Sequence, residues 1–264
     1  MHQIVSKFLA DRGTHLAAMI AYFALLSFVP LLFLALSLTA LAGQPNESSY
    51  LVEELRRAFP ASSVDRLLEV VESIQEQATS LSIIGAVGLF WAALGFFSVL
   101  ESAFNIVYGL PNRSFVRQKL LVLLLVAGSL VVLFLALVVG SVGVELTQHA
   151  GVAGDVLSYV YALAVSTALI FGLTWTLYYL LTNAALTWRE TFPGALFAAL
   201  LLQASFQVLP LFVRLTTGEL VALQAFGGLV LLLVWLYLMA NVLVFGAEVN
   251  WWLTRGRRPR LPSS

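Results

Sequence analysis

Six stretches of the sequence are apolar over the length of a membrane-spanning helix. Such a helix needs about 20 consecutive, mostly apolar residues, and each stretch contains at most one ionised residue. The segment 120–139 carries no charge and lacks the apolar–polar alternation of barrel strands. The first stretch is also longer than the apolar region of a signal peptide, so we expect it to remain as a span. The predicted transmembrane helices fall at residues 15–42, 81–108, 119–143, 156–182, 190–213 and 226–253.

A long hydrophilic segment, residues 43–80, separates the first two stretches. It holds seven acidic residues and three arginines. After Pro60, apolar residues recur at steps of three and four positions, at Val64, Leu67, Val71, Ile74 and Ala78. This spacing places them on one face of a helix. We predict an extracytoplasmic amphipathic helical hairpin here, which either packs on the outer ends of the spans or acts as a lid or partner surface.

Composition supports lipid as the surrounding solvent. Hydrophobic residues make up 60% of the chain and charged residues 11%, whereas a soluble domain carries about 25% charged residues. The mean hydropathy is +0.93. We therefore interpret residues 1–264 as a single all-α, polytopic membrane domain.

The positions of lysine and arginine predict the orientation. Ten of the 14 lie in the amino tail, the second and fourth loops and the carboxyl tail, which share one side of the membrane. Because basic residues accumulate on the cytoplasmic side, we predict that both termini are cytoplasmic. Trp188, Trp251 and Trp252 lie at the same ends, as expected of an aromatic belt.

Several polar residues fall inside the predicted spans. A charge there costs about 2.5–3.5 kcal/mol on insertion scales, so it usually faces protein or water. The groups predicted to converge near the cytoplasmic ends are the candidate substrate-binding residues Glu101, Asn105, Tyr178, Asn183, Arg189, Asn241 and Glu248. Three interpretations stay open: hydrogen bonds that cross-link the bundle, a substrate or proton-linked site open to the cytoplasm, or side chains that reach the interface.

Standard catalytic motifs are absent from the sequence. It contains no phosphate-binding GxxxxGK[ST] loop, no GxSxG elbow and no HExxH pair. It has no cysteine and three histidines. We therefore predict no metal, no cofactor and no enzymatic activity. The formal net charge of zero gives no indication of a nucleic-acid partner.

Four segments resemble the BrkB-like, or YihY, family of bacterial inner-membrane proteins, which was once mislabelled as ribonuclease BN. They are the segments 21–30 (AYFALLSFVP), 101–109 (ESAFNIVYG), 188–195 (WRETFPGA) and 233–250, which includes LVWLYL and FGAEVN. The resemblance covers nearly the whole chain. It implies six spans and cytoplasmic termini, in agreement with the charge distribution.

The resemblance makes transport the leading functional expectation. We expect a transporter or flippase-like protein for a lipid or another amphipathic envelope component, with membrane lipids as partners. The alternatives are a non-catalytic scaffold for envelope integrity, which would recruit partners through residues 43–80, and an intramembrane enzyme that uses Glu101 and Glu248. Homo-oligomers and envelope proteins are further expected partners, and ribonuclease activity is not expected.

Overall fold

The described part of the chain is helical throughout, apart from short turns. A computed structural model describes residues 2–41, 78–147, 151–217 and 221–254. Within these ranges there are seven α-helices: α1 (His2–Ala10), α2 (Gly13–Leu41), α3 (Ala78–Tyr108), α4 (Phe115–Thr147), α5 (Gly151–Leu181), α6 (Trp188–Thr217) and α7 (Val221–Thr254). The all-helical prediction is confirmed. Residues 42–77, which hold nearly all of the predicted hairpin, lie outside the described residues.

Four helices contain described segments that are long and apolar enough to cross a membrane. These segments are Trp91–Tyr108, Tyr159–Leu181, Trp188–Leu209 and Val230–Thr254. In α2 the described apolar segment, Gly13–Ser27, is shorter. Because α2, α4, α5 and α7 are apolar around their whole circumference, they lack the polar face of a helix at a water-facing surface. Six complete spans stay a prediction.

The six long helices form a closed ring of neighbours. Each packs against the next in sequence, and α7 returns to pack against α2. Helix α3 also contacts α5 and α7, so it connects opposite parts of the ring. The short α1, which the sequence patterns did not predict, buries Ile4 and Phe8 and packs on α2 and α7.

Two turns, the helix α1 and the last turns of α7 meet at one end of this bundle, which we call the loop end. It comprises α1, residues 109–114 between α3 and α4, residues 182–187 between α5 and α6, and the last turns of α7. Helix α3 stops at Gly109, whose φ of 66° lets the amide of Leu110 donate to the carbonyl of Asn105 at 2.8 Å. This reversal brings the 109–114 loop back over the helix ends.

The outer surface of the bundle is strongly apolar. Trp91 is 69% exposed and Phe115 is 73% exposed, and every long helix carries at least one further large apolar side chain that is exposed. Hydrocarbon accommodates such side chains without the cost that water imposes. The buried cluster, by contrast, lies near the loop end and surrounds several polar groups.

Candidate functional site

Two carboxylates, Glu101 of α3 and Glu248 of α7, are completely buried near the loop end. Both side chains are 0% exposed. A buried charge is tolerated when a cation or hydrogen-bond donors compensate for the lost hydration. Each carboxylate has such a cation, and in each case it comes from outside the six spans that the sequence predicts.

Arg113, in the 109–114 loop, pairs with Glu101. Its guanidinium Nη1 lies 3.3 Å from Glu101 Oε1, and its backbone amide donates to the same oxygen at 3.3 Å. The second oxygen, Oε2, is buried and has no hydrogen-bond partner among the described residues. The Glu101 carboxylate is therefore paired with Arg113 through Oε1 alone.

The same guanidinium caps the end of α5. Nη1 donates to the carbonyl of Leu181 at 2.7 Å, and Nη2 donates to the carbonyl of Thr182 at 3.0 Å. The last carbonyls of a helix lack partners within the helix, and a cation there also interacts favourably with the helix dipole. Arg113 thus joins α3, the 109–114 loop and α5.

An amide network lies beside this ion pair. Asn105 accepts a hydrogen bond from the backbone amide of Asn183 at 2.7 Å and donates to Asn112 Oδ1 at 3.1 Å. Asn183 donates its side-chain amide to the carbonyl of Pro111 at 3.0 Å. Two loops of the loop end are therefore held together through Asn105, which is itself fully buried.

Lys7 of α1 is the cation of the second cluster. Its Nζ lies 3.0 Å from Glu248 Oε2, pairs with Asp11, and donates to the carbonyl of Val107 at 2.7 Å. It also lies 4.2 Å from the centre of the Trp251 ring, within reach of a cation–π interaction. Neither Glu248 oxygen has hydrogen-bond geometry to a described group, so the contact with Lys7 is an ion pair.

Two glycines allow α6 and α7 to approach closely beneath Glu248. A Cβ atom on Gly194 would lie 2.2 Å from the carbonyl oxygen of Gly246. The buried Asn250 accepts a hydrogen bond from the amide of Gly194 at 2.7 Å, and Tyr178 of α5 donates to the carbonyl of Leu243 at 2.7 Å. The ring of Tyr178 contacts Phe104, with centroids 5.0 Å apart.

The predicted site residues therefore separate into groups. Glu101, Asn105 and Asn183 belong to the Arg113 cluster, and Glu248 belongs to the Lys7 cluster. Tyr178 lies between α3 and α7. Asn241 donates to the carbonyl of Tyr237 in its own helix at 2.7 Å and joins neither cluster. Arg189 is exposed and lines a cavity between α6 and α7.

Comparison with known proteins identifies the family. The sequence profile of the family described as Virulence factor BrkB matches residues 4–264. The chain belongs to the BrkB family. The resemblance predicted from the four motif segments is thus confirmed, and this BrkB-family chain is a membrane protein.

Its relatives are similar to it over most of its length. The YfkH protein of Bacillus subtilis, named as ribonuclease-like, is 26% identical over 99% of this chain and 97% of its own. A UPF0761 membrane protein of Azotobacter vinelandii is 29% identical over 97% of this chain and 64% of its own. A UPF0761 membrane protein of Alcanivorax borkumensis is 26% identical over 93% of this chain and 58% of its own. The BrkB-family chain thus spans less than two thirds of these UPF0761 proteins, and no solved structure matches it.

Several residues of the two clusters were missed by sequence reasoning. The residue pattern identifies Lys7 and Arg113 only as topology charges, gives Asn250 only as part of a family motif, and assigns no role to Asp11. Lys7 and Asp11 are spaced i, i+4, which is a signal for a helical ion pair. Gly194, Gly246 and Asn250 all lie within the BrkB-like motif segments 188–195 and 233–250.

Proposed function

We propose that this membrane protein transports a lipid or another amphipathic envelope component across the bacterial inner membrane. In this proposal the loop end faces the cytoplasm. The two ion pairs with buried carboxylates, Lys7–Glu248 and Arg113–Glu101, keep this end closed. The candidate substrate-binding residues of both clusters then become accessible when the pairs separate.

The observation that carries the proposal is the burial of two carboxylates within apolar helices. Replacing a buried ion pair by well-packed apolar residues is often neutral or stabilising, so stability alone is a weak reason to have one. Ionisable groups within a membrane more often serve substrate or proton pathways. Glu101 and Glu248 each leave at least one oxygen without a described hydrogen bond, which is consistent with a site that exchanges partners.

The proposed gating follows from the placement of the pairs. Lys7 joins α1 to α7 and to the carbonyl of Val107 in α3, whereas Arg113 joins α3 to α5. A substrate favours an open state only if it binds that state more tightly. A phosphate-containing head group meets this requirement, because it could replace a carboxylate as the partner of Lys7 or Arg113.

A flux measurement tests the proposal. Purified protein is reconstituted into phosphatidylcholine–phosphatidylglycerol vesicles that contain a trace of NBD-labelled phosphatidylethanolamine or phosphatidylglycerol. Dithionite added outside the vesicles removes the fluorescence of probe in the outer leaflet, so the extent of fluorescence loss reports the movement of the probe between leaflets. We expect movement above that of protein-free vesicles, with losses in Glu101→Gln and Glu248→Gln. Movement equal to that of protein-free vesicles for both probes would contradict lipid transport, and full movement in both variants would remove the site assignment.

A non-transporting scaffold is the second candidate. It is favoured by one observation: the cations that pair with Glu101 and Glu248 belong to the same chain, as expected if these groups only stabilise the bundle. Its working surface would be residues 43–80. Under this hypothesis, Glu69→Gln impairs envelope integrity in cells more than Glu101→Gln does, whereas the transport proposal expects the opposite order. Lipid mass spectrometry of the same vesicles tests the intramembrane-enzyme alternative.

A further inference from the structure

Helix α1 contacts residues that lie inside apolar spanning segments. Its main neighbours are α2 and α7. The ring of Phe8 packs against that of Phe245 in α7, with centroids 5.7 Å apart. Lys7 pairs with Glu248 of α7 and donates to the carbonyl of Val107 in α3. Val107 and both of the α7 residues belong to segments that are long and apolar enough to cross a membrane.

The contact with Phe245 sets the depth of α1. The apolar segment of α7 ends at Thr254 and has 25 residues, so it is about 37 Å long, whereas the hydrocarbon core of a bilayer is about 30 Å thick. Phe245 lies nine residues before Thr254, which corresponds to about 13 Å along the helix. Even if the whole excess of about 7 Å lay at the Thr254 end, Phe245 would be about 6 Å inside the hydrocarbon. Phe8 packs against it at this level.

Three sides of α1 have different surroundings. Ile4 and Phe8 face the bundle and are buried. Val5 and Leu9 are one turn apart on the adjacent side, and they are 46% and 62% exposed. Ser6 is exposed on the third side. A side against the bundle, an exposed apolar side and a polar side are what a helix needs if it lies beside a bundle at the edge of a bilayer.

Lipid is the surrounding that fits the exposed pair Val5 and Leu9. The two helices that flank α1 also expose large apolar side chains near the loop end, where Met19 of α2 is 49% exposed and Leu253 of α7 is 51% exposed. Water would impose a cost on all of these side chains, whereas acyl chains would not. The apolar side of α1 thus extends the lipid-facing surface of its neighbours.

We infer that α1 is an interfacial helix in the leaflet at the loop end, with Val5 and Leu9 in contact with lipid acyl chains. The partner of this surface is the bilayer itself. Acyl chains on one side and the bundle on the other hold α1 in the position that brings Lys7 to Glu248. This lipid contact does not require transport. If the Lys7–Glu248 pair separates as proposed above, α1 moves within the leaflet, and that consequence alone rests on the proposed function.

Spin labels on single cysteines test the lipid contact, since the native sequence contains no cysteine. Val5→Cys, Leu9→Cys and the control Ser6→Cys carry a nitroxide in phosphatidylcholine–phosphatidylglycerol vesicles. Collisions with oxygen, which concentrates in hydrocarbon, are compared with collisions with a water-soluble nickel chelate. We expect oxygen to dominate at positions 5 and 9 and the chelate to dominate at position 6. Dominance of the chelate at all three positions would place the pair in water, and protection from both reagents at positions 5 and 9 would mean that protein covers them; either result overturns the inference.

Hydrogen exchange in lipid nanodiscs measures how far the leaflet holds α1 in place. Leu9→Ser is expected to speed the exchange of residues 4–10 about tenfold, because it removes an apolar side chain that mainly contacts lipid. Leu9→Met keeps that contact and should retain slow exchange.

The matched control is Ala10→Ser, which adds a serine at another exposed position of the same helix and should leave exchange nearly unchanged. Equal exchange rates in Leu9→Ser and Ala10→Ser would overturn the role of the leaflet. Circular dichroism checks the folding of each variant. Neither experiment measures flux, so a failure of this inference is distinguishable from a failure of the transport proposal.

Discussion

Lys7 and Glu248, from opposite ends of the chain, form an ion pair at 3.0 Å in which the carboxylate is completely buried. The pair fixes α1 against the last turns of α7, because α1 otherwise contacts the bundle mainly through Ile4 and Phe8. The position of α1 on the bundle thus depends on its ion pair with α7.

Lys7→Gln is expected to destabilise the protein by about 3–5 kcal/mol, because it leaves the charge of Glu248 buried without a cation. Glu248→Gln costs less, since Lys7 keeps Asp11 and the carbonyl of Val107 as partners. The double variant Lys7→Gln/Glu248→Gln should be more stable than Lys7→Gln alone. Thermal unfolding in detergent measures all three, and additive losses would show that the two side chains do not interact.

Arg113→Gln is also expected to destabilise the protein by about 3–5 kcal/mol. The change leaves Glu101 without a cation and also removes the donors to the carbonyls of Leu181 and Thr182. Arg113→Lys should restore only part of this stability, because a single ammonium cannot reproduce the fork of the guanidinium. Unfolding temperature and hydrogen exchange of residues 178–183 report the effect.

The matched control for that experiment is Arg117→Gln, in the first turn of α4. Its side chain is exposed, so its loss is expected to change stability by less than about 0.5 kcal/mol. Equal unfolding temperatures for Arg113→Gln and the wild-type protein would show that the Arg113 contacts do not stabilise the folded protein.

The sequence predicted the long helices well and the polar contacts less well. Uninterrupted apolar stretches require helices in lipid, so their positions follow directly from the residue pattern. The partners of Glu101 and Glu248 do not, because Arg113 and Lys7 lie in segments where a basic residue also serves as a topology signal. Asn241 illustrates the same limit: its position matches the site, but its amide bonds to the carbonyl of Tyr237 in its own helix.

Gly194→Ala is expected to separate α6 from α7, because the new Cβ atom would lie 2.2 Å from the carbonyl oxygen of Gly246 and 2.5 Å from Asn250. The closest of these atoms is backbone, so it cannot move without displacing the helix. The control is Gly172→Ala in α5, where no atom lies within 4 Å of the new Cβ atom. The control should be neutral or stabilising by up to about 1 kcal/mol, while Gly194→Ala lowers the unfolding temperature; equal temperatures would contradict this packing.

The orientation of the chain can be tested by cysteine labelling, since the native sequence contains no cysteine. Ser6→Cys places a thiol on an exposed position of α1, at the loop end, and Ser62→Cys places one in the 43–80 segment. In spheroplasts, a membrane-impermeant maleimide should label Ser62→Cys at once and Ser6→Cys only after permeabilisation, because the distribution of basic residues predicts that the loop end faces the cytoplasm. The reverse pattern would place Lys7, Arg113 and the Arg189 cavity on the outer side, and the proposed direction of substrate entry would then have to be inverted.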